Sequence, residues 1–146
     1  YAKKQIKKNK ITLYEIFQKC SSWDTICREW VSGYEITFTK GYPFLLKALK
    51  KTNNINSAIV DTYLHVLSEE PDSLIQRKND LQTALSVSKK AKTIMIEGGY
   101  ASNKGYELIV TLDKELQEAG GNLNPGTTAD ITAASIYLLL LDGWRP

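Results

Sequence analysis

Methionine and histidine occur once each in this 146-residue chain, and cysteine only twice. A single histidine, His65, cannot build a zinc site unaided; mid-helix and beside apolar neighbours, it reads as structural. There is no CxxC, HExxH, GxxxxGK[ST] or GxSxG, and no GxGxxG after a strand. The common zinc, P-loop, nucleophile-elbow and dinucleotide signatures are therefore excluded. Long apolar runs are lacking too: the longest, Ile136 to Leu141, falls far short of the roughly 20 residues that span a bilayer. The opening "YAKKQIKKNK" carries lysines with no apolar stretch behind them, so it does not resemble a secretory leader. Charge of one sign is scarce, with 19 Lys+Arg against 16 Asp+Glu and a net charge of +3. That excess does not imply a nucleic-acid partner. Cys20 and Cys27 would lie about two turns apart on one helical face, too far for a disulfide within that helix. They are expected to be reduced and buried, in a cytoplasmic protein that makes no membrane contact.

What is present is the composition of a globular protein, with 42% hydrophobic and 24% charged residues. The expected fold class is all-α, a multi-helix bundle with a central apolar C-terminal helix. Ile6, Leu13, Ile16 and Phe17 share one face of a lysine-rich first helix, with lysines 3, 4, 7, 8 and 10 on its solvated side. Ser22 is placed to cap a short helix carrying Trp23, Ile26, Cys27 and Trp30, stopped by Gly33. The run "YEITFTK" (34–40) alternates like a strand but has no partner, so it reads as a connector or part of a helix. Pro43 suits a helix start.

From Asn56 a helix aligns Ile59, Tyr63, Val66 and Leu67. Pro71 ends it, and Asp72 or Ser73 starts a long helix through Met95, closed by Gly98-Gly99. A further helix ends at Gly120-Gly121. The last runs from Thr127 to about Leu141 and is apolar nearly all round. The organisation is a single helical domain over 1–146. Because the chain begins at Tyr1 inside a charged helix, it reads as the C-terminal half of a longer chain.

Two clusters are candidates for chemistry. In "SEEPDSLIQRKND" (68–80), Glu70 and Asp72 flank a proline break, and carboxylates so placed can share a hard cation. Arg77 and Lys78 follow one turn later, where Arg77 offers a fork for phosphate oxygens. The same pattern arises from favourable helix-dipole interactions alone. In "NPGTTADITAAS" (124–135), Thr127-x-x-Asp130 resembles a capping box with aspartate in place of glutamate. Gly126, Thr127 and Thr128 also leave amides free at a positive helix end, a place that favours phosphate.

The stretch "LDKELQEAGGNLNPGTTADITAASIYLLLL" (112–141) resembles the C-terminal signature of the triphosphoribosyl-dephospho-CoA synthases. Asp113 and Leu116 match its LD-x-x-L. Asn122, Leu123, Pro125, Gly126, Ala129, Asp130 and Ala133 match its N-L-S-P-G-G-S-A-D-L-L-A-A. "SGYEITFTKGYPFLLKAL" (32–49) is similar to the family's glycine-aromatic stretch. At residues 71–79 the arginine of the family's D-T-N-L-L-H-R-G-G is kept as Arg77, histidine becomes Gln76 and the glycine pair is lost. The wording "EEPDSLIQRKN" is similar to an archaeal branch.

The resemblance implies a transferase. It would move the 5-triphosphoribosyl group of ATP to the ribose 2′-hydroxyl of 3′-dephospho-CoA and release adenine, a step toward a lyase prosthetic group. It implies Mg²⁺ with Asp130, Asp72 and Glu70 as metal ligands, and Asp130 as the catalytic carboxylate. Arg77, Lys78, Gly126, Thr127 and Thr128 would bind substrate phosphates. The implied partners are ATP, dephospho-CoA or a related acceptor, and the missing N-terminal half; homo-oligomer formation is left open. The alternative is a nucleotide-binding or purely structural helical module without this activity.

Overall fold

The computed structural model describes residue 6 and residues 9–145, and every regular element among them is helical. The chain divides into two compact units, Tyr1–Glu35 and Ile36–Pro146.

The first unit contains α1 (Leu13–Cys20) and α2 (Thr25–Ser32). The helix expected from Ile6 is interrupted: Lys10 takes a positive φ of 52°, and Thr12 opens α1 with a capping box to Glu15. Lysines 3, 4, 7 and 8 lie outside the described residues. Asp24, rather than Ser22, caps α2 by accepting from the Cys27 amide at 3.0 Å. Gly33, at φ 74°, ends α2 as expected. The reduced cysteines are corrected: Cys20 and Cys27 form a disulfide across Cα atoms 5.9 Å apart. The helix stops after Cys20 and restarts at Thr25, and the intervening turn folds the two cysteines together. Phe17 stacks on Trp30 with ring centroids 5.6 Å apart.

The run "YEITFTK" is not extended: Glu35 and Ile36 are helical and, in the second unit, Thr37–Gly41 form a π-helical turn, leading into α3 (Tyr42–Thr52) with Pro43 in its first turn. Then follow α4 (Ile55–Glu69), α5 (Ser73–Lys78) and α6 (Leu81–Ile96). A 3₁₀ turn (Gly99–Ala101) precedes α7 (Asn103–Glu118) and α8 (Gly126–Leu141). The single helix expected from residue 73 to Met95 is two helices. Asp80 accepts from the Thr83 amide at 2.7 Å and starts α6 afresh. The Asn79 amide group holds the break by donating to Asn122 O at 2.8 Å.

The centre of this unit is α4, which packs on α3, α6, α8 and both short turns. Its Leu64 and Leu67 join Ala84, Val87 and Ala91 of α6, whose alanines permit close approach. Ala58 meets Leu45 and Ala48 of α3 and Leu139 of α8; Val66 meets Ile36 and Ile131.

The C-terminal helix α8 packs on α3, α4, α5 and the π-helical turn. Its buried face combines Ile131 and Leu139 with the hydroxyls of Thr127, Thr128, Thr132 and Ser135. Two of them satisfy themselves on the preceding turn, Thr132 Oγ1 to Thr128 O at 2.8 Å and Ser135 Oγ to Ile131 O at 2.9 Å. They therefore pack as small, neutral groups, and a Cβ at Gly41 would collide with Ser135. Tyr137 and Leu141 face outward, 60% and 65% exposed. Among the described residues no helix is long and apolar enough to cross a membrane.

Candidate functional site

The amino end of α8 is built around a carboxylate from elsewhere in the chain. Asp72, 1% exposed, N-caps α5 by accepting at Oδ1 from the Leu74 and Ile75 amides at 2.9 and 3.2 Å. Its Oδ2 accepts from both the amide and the hydroxyl of Thr128, each at 2.8 Å. One carboxylate thus caps two helices, and its acceptor positions are occupied by four protein donors. Alongside, the Thr127 and Ser73 hydroxyls share a buried hydrogen bond of 3.0 Å. The Gly126 amide donates to Asn124 O at 2.9 Å, and a Cβ at Gly126 would stand 2.6 Å from Leu74 Cδ2. A side chain at this position would therefore push the Leu74 side chain aside.

The capping box expected for Thr127 and Asp130 is corrected. The helix already begins at Gly126, with Pro125 at the cap position and no side-chain cap from its own strand of sequence. Thr127 lies inside the first turn, and Asp130, one turn further, is exposed.

The remaining residues expected in the site are spread around this node. Glu70 Oε1 pairs with Lys40 Nζ at 2.6 Å. Arg77 and Lys78 are exposed in the last turn of α5, and Lys78 Nζ donates to Gly121 O at 2.9 Å. Among the described residues there is no group of three or more His, Cys, Asp or Glu side chains that could hold a metal ion. Glu70, Asp72 and Asp130 are thus not brought together as a ligand set. Asp130 presents a carboxylate to solvent, whereas Asp72 is enclosed by donors.

Beside the node a cleft of about 640 Å³ opens between α4, α7 and α8. Ala129, Thr132 and Ala133 bring the signature helix to its wall. Asp113 and Tyr106 line it from α7, and Tyr63 from α4. Burial pushes the Tyr63 phenol well above its ordinary value, and the nearby charges of Asp72 and Asp113 push it further, so it stays a protonated donor. At the other end Asp61 of α4, largely buried, accepts from the Tyr100 amide at 2.8 Å. Burial raises the Asp61 carboxyl above its usual range, while the Tyr100 hydrogen bond and Lys51 pull it back. His65 stands apart from the cleft, stacked on Phe44 at 4.1 Å.

Pattern reading missed Tyr63, Tyr100 and Tyr106. Their signal was available only for α7, where Tyr106 and Asp113 are two turns apart on one face.

The fold defines an all-α domain whose most distinctive helix forms one wall of a cleft. Its particular place among proteins is a family: the chain belongs to the ATP:dephospho-CoA triphosphoribosyl transferases, whose family model matches residues 1–146. A probable 2-(5''-triphosphoribosyl)-3'-dephosphocoenzyme-A synthase of Salmonella gallinarum is 26% identical over 132 residues, covering 90% of this chain and 43% of that protein. The 2-(5''-triphosphoribosyl)-3'-dephosphocoenzyme-A synthase of Escherichia fergusonii is 27% identical over 107 residues, 73% of this chain and 35% of its own length. That of Klebsiella pneumoniae is 26% identical over 107 residues. The chain spans less than half the length of these curated relatives. No solved structure matches it.

Proposed function

We propose that this chain carries part of the substrate site of a cytoplasmic transferase that moves the 5-triphosphoribosyl group of ATP to the 2′-hydroxyl of 3′-dephospho-CoA. The bond from ribose C1′ to adenine breaks, and a bond from C1′ to the acceptor oxygen forms. The proton lost by the acceptor hydroxyl balances the one gained by departing adenine. The observation that supports this proposal is the cleft walled by Ala129, Thr132 and Ala133 of the signature helix, which also carries the exposed Asp130.

The transition state places positive charge on the ribose, which a carboxylate stabilises, and Asp130 is assigned that role. Magnesium ordinarily binds through one or two carboxylates plus substrate phosphates, so a single exposed carboxylate fits its demands. Asp130 would hold it, and the ion would neutralise triphosphate charge. Asp72 and Glu70 do not fit, because four donors enclose the first and Lys40 pairs with the second. Arg77 and Lys78, cations on the neighbouring helix, are assigned to the phosphates. Thr127, Thr128 and Gly126 support them by fixing the start of α8. The rest of the site is assigned to the portion of the longer relatives that this chain does not cover.

The test is adenine release, followed by chromatography, from ATP and dephospho-CoA. Full-length protein is expected to release adenine only when both substrates are present, and these 146 residues alone are expected to release none. Turnover by the isolated chain would refute its assignment as part of a site. ATP binding without adenine release by full-length protein would favour a nucleotide-binding module instead.

A further inference from the structure

Tyr100, Tyr106 and Asp113 share the cleft but have no part in the chemistry assigned above. Their placement is built rather than incidental. Gly98 and Gly99, at φ 98° and 64°, turn the chain at the end of α6 so that the Tyr100 amide reaches Asp61. A Cβ at Gly99 would stand 2.5 Å from the Asp61 carboxylate, so only glycine allows this clasp. Tyr106, 48% exposed, stands edge-on to Tyr100 with centroids 5.4 Å apart and planes at 89°. Ala129 and Ala133, one turn apart on α8, add only methyl groups to the same cleft and leave room there.

The exposed ring of Tyr106, braced edge-on by the half-buried Tyr100 beside methyl-lined space, offers one aromatic face to a planar ring. Asp113 follows Tyr106 by two turns on the same face, about 10 Å along the axis. A carboxylate at that remove suits the hydroxyls of a ribose attached to the ring, the use that dinucleotide folds make of an acidic residue. An acyl chain would gain nothing from Asp113 or from the Tyr63 hydroxyl. A phosphate would meet the Asp113 carboxylate and find no Lys or Arg among the residues that line the cleft. What fits is the neutral portion of a nucleotide.

We propose that the Tyr100–Tyr106 end of the cleft seats the purine base of a nucleoside, with Asp113 accepting from its ribose hydroxyls. The proposal rests on the transferase reading of the same cleft, which makes the purine adenine and leaves open where the base lies.

The probes are adenosine, free adenine and Mg²⁺-tripolyphosphate, titrated calorimetrically into the full-length protein. Adenosine is expected to bind without magnesium. Tyr106→Ala should weaken it roughly 5- to 100-fold, the worth of one stacked base, while Tyr106→Phe retains it. Asp113→Asn should weaken adenosine and leave adenine unchanged, because only the ribose is lost. Tripolyphosphate binding should be the same in all variants. Adenosine affinity unaffected by both Tyr106→Ala and Asp113→Asn would overturn the site. So would adenosine failing to bind a protein that still releases adenine from ATP, and in that case the transferase stands. Tyr106-dependent adenosine binding in a protein that transfers nothing would instead support the nucleoside site and remove the transferase reading.

Discussion

Asp72 and Asp130 are both aspartates near one helix start, yet substitution should separate them. Asp72→Asn leaves one acceptor oxygen and puts an amide group against two of the four donors that surround the carboxylate. Hydrogen bonds to a charged group are worth about 1.5–3 kcal/mol each, so this variant should lose about 3 kcal/mol of stability in urea unfolding. Asp130→Asn touches an exposed side chain with no capping role and should stay within about 0.5 kcal/mol of wild type. In full-length protein, Asp130→Asn should instead raise the Mg²⁺ needed for half-maximal adenine release. Wild-type turnover at limiting Mg²⁺ would remove Asp130 from the metal.

His65 makes a further demand at this scale. Burial against Phe44 holds its imidazole below the ordinary value of 6.5, although Glu69 opposes the shift. The unfolded chain then binds the proton more tightly than the folded one. Stability is complete above pH 6.5 and falls as pH drops through the lowered folded value. His65→Phe keeps the ring stack and removes the proton. Urea midpoints of wild type should decline from pH 7 to pH 5 more steeply than those of the variant, and parallel curves would refute this.

Among the elements, helix ends were the most legible feature. Gly33, Pro43, Gly98 and Gly120-Gly121 each act through backbone geometry confined to a few residues, so their neighbours carry the whole signal. The break between α5 and α6 was also written locally, in Asp80 at the head of a helix. It was masked because apolar spacing continues across it. The turn between α1 and α2 was read as separating two helices, yet its consequence for Cys20 and Cys27 was not. Their pairing depends on how the second helix folds back, which spacing does not reveal. A crosslink closing so short a loop contributes about 2–3 kcal/mol by constraining the unfolded chain. Dithiothreitol should therefore lower the melting temperature of wild type and leave that of Cys20→Ser/Cys27→Ser unchanged. Equal sensitivity of the two proteins would show that the crosslink does not stabilise the fold.

For the molecule as a whole, the sequence by itself determined a helical chain, its main helix boundaries and the family signature across residues 112–141. Periodicity, caps and motif residues are all short-range properties, and they survive without any knowledge of packing. How the helices share the core was decided by tertiary structure. α4 supplies residues to three separate core clusters and α8 to two of them, through Leu139 and Ile131, while self-bonded hydroxyls fill much of the rest of its buried face. Tertiary structure also decided what satisfies the Thr128 amide of α8. A local reading left it to a capping box or to phosphate, whereas Asp72 reaches it from 56 residues earlier in the chain. The cleft belongs to the same category. Tyr63, Tyr100, Tyr106 and Asp113 come from α4, a 3₁₀ turn and α7, and no pattern within one element contains them all. Contacts between distant segments arise only when buried surfaces compete for partners, and that competition is settled by the packed chain.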